Sequence, residues 1–205
     1  MHRTETATAA TTADLTSGVV GNARITGTFG AVIFVLLFLE GLTVLRVGAL
    51  ISMHVFVGML LVPFVIVKIA STGYRFVHYY RGRADYTRKG PPHVVLRLLG
   101  PVVVVTTVSL LASGIGLLFT HRVRWLLFAH KASFVLWFGA MTIHVLGHAL
   151  ETPALAVADL GRAARGRVPG AAARLVLLVA TCAVALALGG ISIGWVHHWQ
   201  SLRRG

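Results

Sequence analysis

Four stretches of this chain run for about the width of a bilayer without one Asp, Glu, Lys or Arg: residues 47–67, 98–121, 132–150 and 175–202. A fifth, 25–45, carries a single charge, Glu40. About 20 apolar residues in a helix cross the hydrocarbon core, and lipid offers no partner for an open backbone group. Spanning strands would need alternating apolar and polar residues, and the alternation is absent. The sequence therefore predicts an all-α integral membrane protein. Its spans are expected at about 25–47, 50–70, 94–119, 124–149 and 173–196.

The net charge of +13 does not point to nucleic acid, because the cations sit between apolar runs. Most flank the N-terminus, the loop near 71–93 and the loop at 151–172; fewer lie at Arg46, Arg122, Arg124, Lys131, Arg203 and Arg204. That asymmetry predicts a multi-pass protein of the cell (inner) membrane, N-terminus cytoplasmic and C-terminus outside. Basic loops also suit an anionic inner leaflet. The one cysteine, Cys182, falls within the fifth span, so an intrachain disulfide and a thiolate metal site are ruled out.

Four regions follow. Residues 1–22 are Thr/Ala-rich, lack a signal-peptide core and read as a disordered tail; 23–150 form a four-helix core. Residues 151–172 read as a loop with an interfacial helix, and 173–205 as a fifth span with a short tail. Pro63 is a candidate kink in the second span. No phosphate-binding loop or zinc-protease motif occurs.

Intramembrane histidines are functional-site candidates because imidazole is costly in hydrocarbon. His130 and His144 lie fourteen residues apart on the fourth span. That is nearly four helical turns, or roughly 21 Å along one face. The spacing suits two stacked haem irons. His54, near the start of the second span, falls at the level of His130, so the two are expected to ligate one iron. His144 would serve an inner iron. Its counterpart on the second span is Lys68, which is not an imidazole, so His78 or His93 is left as the partner, and His148, one turn beyond His144, is the alternative inner ligand of the fourth span. Gly27 and Gly41, and Gly100 and Gly114, repeat the fourteen-residue spacing and are candidate gaps for a macrocycle edge. Glu40 is expected to pair with Arg46 or with another helix, or to accept a quinol proton.

The segment RWLLFAHKASFVLWFGAMTIHVLGHA (124–149) resembles the ligand-bearing helix of bacterial membrane b-type cytochromes, the cytochrome b subunits of hydrogenases and formate dehydrogenases among them. ISMHVFVGMLLVPFVIVKI (51–69) resembles their other histidine helix, although Lys68 departs from the pattern in which two helices each carry a histidine pair. The resemblance covers about 25–150. It implies an antiparallel four-helix haem-binding core with a fifth helix added, holding two haem b groups or one. It also implies electron transfer between a quinone pool and a partner redox subunit, within an oxidoreductase complex rather than as a stand-alone enzyme. Two other readings compete. One is a haem-free membrane scaffold or assembly protein. The other is a metal or small-solute transporter that uses His144 and His148 as ligands one turn apart.

Overall fold

A computed structural model describes the backbone of residues 2–87, 94–120, 123–148 and 170–204, and most side chains from Gly18 onward. All regular structure among the described residues is helical: α1 (His2–Val44), α2 (Val47–Tyr80), α3 (Ala84–Thr87), α4 (Val94–Phe119), α5 (Arg124–His148) and α6 (Ala171–Arg204). Five of the six are long and apolar enough to cross a membrane. The expected loop and interfacial helix at 151–172 lie almost entirely outside the described residues, as do His93 and His121.

The first span begins earlier than expected. α1 is one helix from His2, so its backbone carries through the Thr/Ala-rich stretch read from sequence as a disordered tail. Alanine loses little on entering a helix, and no Pro interrupts the run. Pro63 lies within α2, and the non-helical backbone there is at Leu50 instead (φ −109°, ψ 23°). Leu50 belongs to the first turn, where Leu50 N donates to Arg46 O at 2.9 Å and the chain reverses after α1. The non-helical backbone therefore sits at the turn one helical turn before His54.

The helices pack as two groups. α1, α2 and α6 share a core of Phe29, Ile33, Leu61, Phe64, Val65 and Ala185, with Phe29 and Phe64 ring centroids 5.8 Å apart. α4 and α5 form a hairpin, in which Trp137 Nε1 donates to Thr107 Oγ1 at 3.0 Å. Only a thin seam joins the two groups. Large apolar side chains such as Phe34, Phe38, Leu98, Trp125, Phe128 and Leu136 face outward. That is the expected surface of a bundle whose solvent is lipid.

Lipid tails are as apolar as leucine, so spanning helices associate through close packing rather than by escape from water. α6 does this with Thr181, Ala185, Gly189, Ser192 and Val196, all small or β-branched, all buried and on one stripe. A Cβ at Gly189 would lie 2.8 Å from Phe56 Cε2 and 3.2 Å from Leu60 Cδ2 on α2. We expect Gly189→Val to destabilise the bundle by about 1–3 kcal/mol, the usual cost of overpacking. Unfolding in detergent, followed by circular dichroism, should show the loss. Gly190→Ala, where an added Cβ meets nothing, should not.

Candidate functional site

His54 of α2 and His130 of α5 face each other across the seam between the two helix groups. Their ring centroids are 6.3 Å apart and their planes are nearly perpendicular, at 85°. Each ring is held by the same local device. On one side, Glu40 Oε1 lies 2.9 Å from His54 Nδ1, and Thr43 Oγ1, three residues further along α1, lies 3.2 Å from that nitrogen. On the other side, Leu110 O lies 3.1 Å from His130 Nδ1, and Ser113 Oγ, three residues further along α4, lies 3.2 Å from it. Residues three apart share a helix face, so each pair presents one hard acceptor and one hydroxyl to an imidazole on the neighbouring helix.

The acceptors decide the tautomers. A carboxylate and a backbone carbonyl only accept, so each Nδ1 carries the proton and donates it. In the neutral ring this leaves the lone pair on Nε2. The hydroxyls are themselves oriented by their helices: Thr43 donates to Glu40 O at 2.7 Å, and Ser113 to Ser109 O at 2.6 Å. Thr43 and Ser113 are buried, at 6% and 7% exposure, which keeps water from competing for these bonds. A hydrogen bond to a charged group contributes about 1.5–3 kcal/mol, and a neutral one about 1 kcal/mol.

One glycine, Gly114, makes the device fit. A Cβ at Gly114 would stand 3.1 Å from His130 Cε1 and 3.4 Å from its Nδ1, so the missing side chain lets the ring reach α4's backbone. A Cβ at Gly58 would stand 3.5 Å from Glu40 Oε1, in ordinary contact. Gly114 thus borders the imidazole itself, whereas the sequence reading made it a gap for a macrocycle edge. Gly41 and Gly100 have open space where a Cβ would be, and Gly27 is buried in α1.

The remaining predicted residues are placed apart from this pair. His144 is half-buried on α5, and the side chain of His148 lies outside the described residues. Lys68 turns to α1, where its Nζ donates to Thr26 O at 2.6 Å. Ser71 Oγ bonds Thr26 Oγ1 at 3.0 Å, and Asn22 donates to Ser71 O at 3.1 Å, so this corner is a polar clasp between α1 and α2. His78 stacks on Tyr74 at 4.0 Å, with its Nδ1 3.0 Å from Tyr74 O, and lies 5.3 Å from Tyr86. Burial, then the neighbouring Tyr74, pushes the Tyr86 phenol up from its ordinary range. His78, the inner-site candidate on α2, therefore lies against Tyr74 and Tyr86, and Lys68 lies against α1.

Sequence reasoning missed Thr43, Ser113 and the Leu110 carbonyl, and it did not choose His54 among the partners open to Glu40. The one available signal was a hydroxyl three residues after Glu40, which shares its helix face. Among the described residues no three His, Cys, Asp or Glu side chains gather as a metal-binding group. Comparisons with protein-family models, with curated proteins and with solved structures return no match.

Gly114→Val should drive the His130 ring off Leu110 O, whereas Gly41→Ala should be tolerated. The check is nitrogen-15 NMR of labelled histidines in detergent. The wild type and Gly41→Ala should show His130 as the Nδ1–H tautomer, and Gly114→Val should lose that signature.

Proposed function

We propose that this protein is a membrane b-type cytochrome in which His54 and His130 would hold one haem between them. The observation that carries the reading is the facing pair of rings, each with Nδ1 committed to an acceptor and Nε2 left as a ligand. Histidines that hold metals commonly donate their other ring N–H to a carboxylate or a backbone carbonyl, and here one ring has each kind of acceptor. Metal–imidazole bonds of about 2 Å on either side of one ion put the ring centroids roughly 6 Å apart, in line with the 6.3 Å found. A macrocycle provides the other four ligands itself, so a site of two histidines with no third protein ligand suits it.

When bound, haem would supply one-electron exchange at iron. The chain's own part is to fix two ring planes, to hold both Nδ1 protons in place and to exclude water. A closed six-coordinate site of this kind suits electron transfer rather than binding of a small molecule. The apolar spans around it would set the potential through burial.

The proposal extends to the setting. The chain lies in the inner membrane with its N-terminus cytoplasmic, as the charge of its loops suggests. It relays electrons between quinol and a partner redox subunit. A second haem at His144 rests on the fourteen-residue spacing alone.

His54→Ala and His130→Ala should each abolish the haem of the facing pair, and Lys68→Met should retain it. The reduced-minus-oxidised difference spectrum, with haem quantified per chain, tests this directly. Full haem content in both alanine variants would remove the assignment. A wild type that stays colourless when expressed with ample haem would favour a scaffold or transporter.

A further inference from the structure

The two sides of the histidine pair are not equivalent. His130 donates to neutral oxygens, those of Leu110 and Ser113. His54 donates to a carboxylate, Glu40, half-buried at 16% exposure inside a candidate membrane span. Glu40 is the one acidic residue of its apolar stretch. An intramembrane carboxylate is costly, so it is kept only where a partner answers it. Two features are built around it. Thr43 Oγ1 gives its one proton to Glu40 O at 2.7 Å and lies 3.2 Å from Oε2 and 3.2 Å from His54 Nδ1, so it accepts from the ring beside the carboxylate. The turn at Arg46 and Leu50 brings α2 back beside α1, with His54 against the carboxylate.

We propose that Glu40 is the positioning residue of this site, and that it makes His54 the more electron-rich of the two axial ligands and so lowers the reduction potential of the haem. This rests on the haem reading above. A carboxylate accepts an N–H bond more strongly than a carbonyl or hydroxyl does, by about a factor of two. The stronger acceptor draws the Nδ1 proton away from the ring and raises the basicity of Nε2, the nitrogen that faces the metal. The oxidised iron carries one more positive charge than the reduced iron, so both the richer ligand and the nearby negative charge favour the oxidised state. Glu40 would touch neither the iron nor a substrate. Its effect passes through His54.

The test is an equilibrium redox titration of the purified full-length protein, loaded with haem, at one fixed pH. Wild type, Glu40→Gln and Thr43→Val are compared, with haem per chain and far-ultraviolet circular dichroism measured on each. Glutamine keeps the shape and an accepting oxygen but removes the charge. The expected result is a shift of the midpoint to more positive potential in Glu40→Gln, with haem and helix content retained. Thr43→Val should shift it the same way by less. An unchanged midpoint in haem-loaded Glu40→Gln would overturn the role of Glu40 and leave the histidine pair standing. If Glu40→Gln loses its haem, Thr43→Val decides: an unchanged midpoint overturns the proposal. A wild type without haem would overturn the proposed function and this inference together.

Discussion

Two hydrogen bonds from imidazole Nδ1 atoms hold the site, one to Glu40 and one to Leu110 O. Each joins a histidine to the helix beside it within its own group: α2 to α1, and α5 to α4. Each ring is therefore held within its own group of helices. Contact between the groups is thin, and the facing of His54 and His130 is among the few features that bridge it. A metal held between them would be the strongest tie across the seam. Binding of haem would then stabilise the fold as well as provide its chemistry, because a ligand held only by the folded state shifts the folding equilibrium.

The bilayer explains why the polar residues are arranged in this way. A hydroxyl, an imidazole or an amine in hydrocarbon needs a partner, and the helices supply one at almost every such position. Thr43, Ser113 and Thr107 use the carbonyl of the preceding turn and then offer the hydroxyl sideways. Lys68 reaches the Thr26 carbonyl on α1. Apolar packing joins α6 to α2 with no polar group required, through the gap at Gly189 and the stripe around it. Two kinds of interface thus coexist. The one that carries the histidines is polar and open, and the one that carries α6 is dry and tight.

The membrane spans could be read from composition alone, since long uncharged runs leave helices as the one solution in lipid. The level of His54 with His130 could also be read, because both lie a few residues after a short turn. The inner site could not. Spacing along one helix says which residues share a face, but not what the partner helix presents there. Lys68 holds the expected register and points to a different neighbour, which fourteen-residue counting has no means to show. Gly114 matches the periodicity, and the space it leaves borders the His130 imidazole. Glu40 shows the gain in the other direction. Its charge marked it as unusual, and the structure supplies the partner, His54.

The central claim is that one metal takes a nitrogen from each group of helices. Electron paramagnetic resonance of the oxidised, haem-loaded protein tests it most directly, because the spin state reports whether both axial positions are filled. The account predicts a low-spin bis-imidazole signal of high anisotropy, since the two ring planes stand 85° apart. That signal should disappear in His54→Ala and in His130→Ala. A high-spin signal in the wild type, or a low-spin signal that survives either substitution, would contradict it.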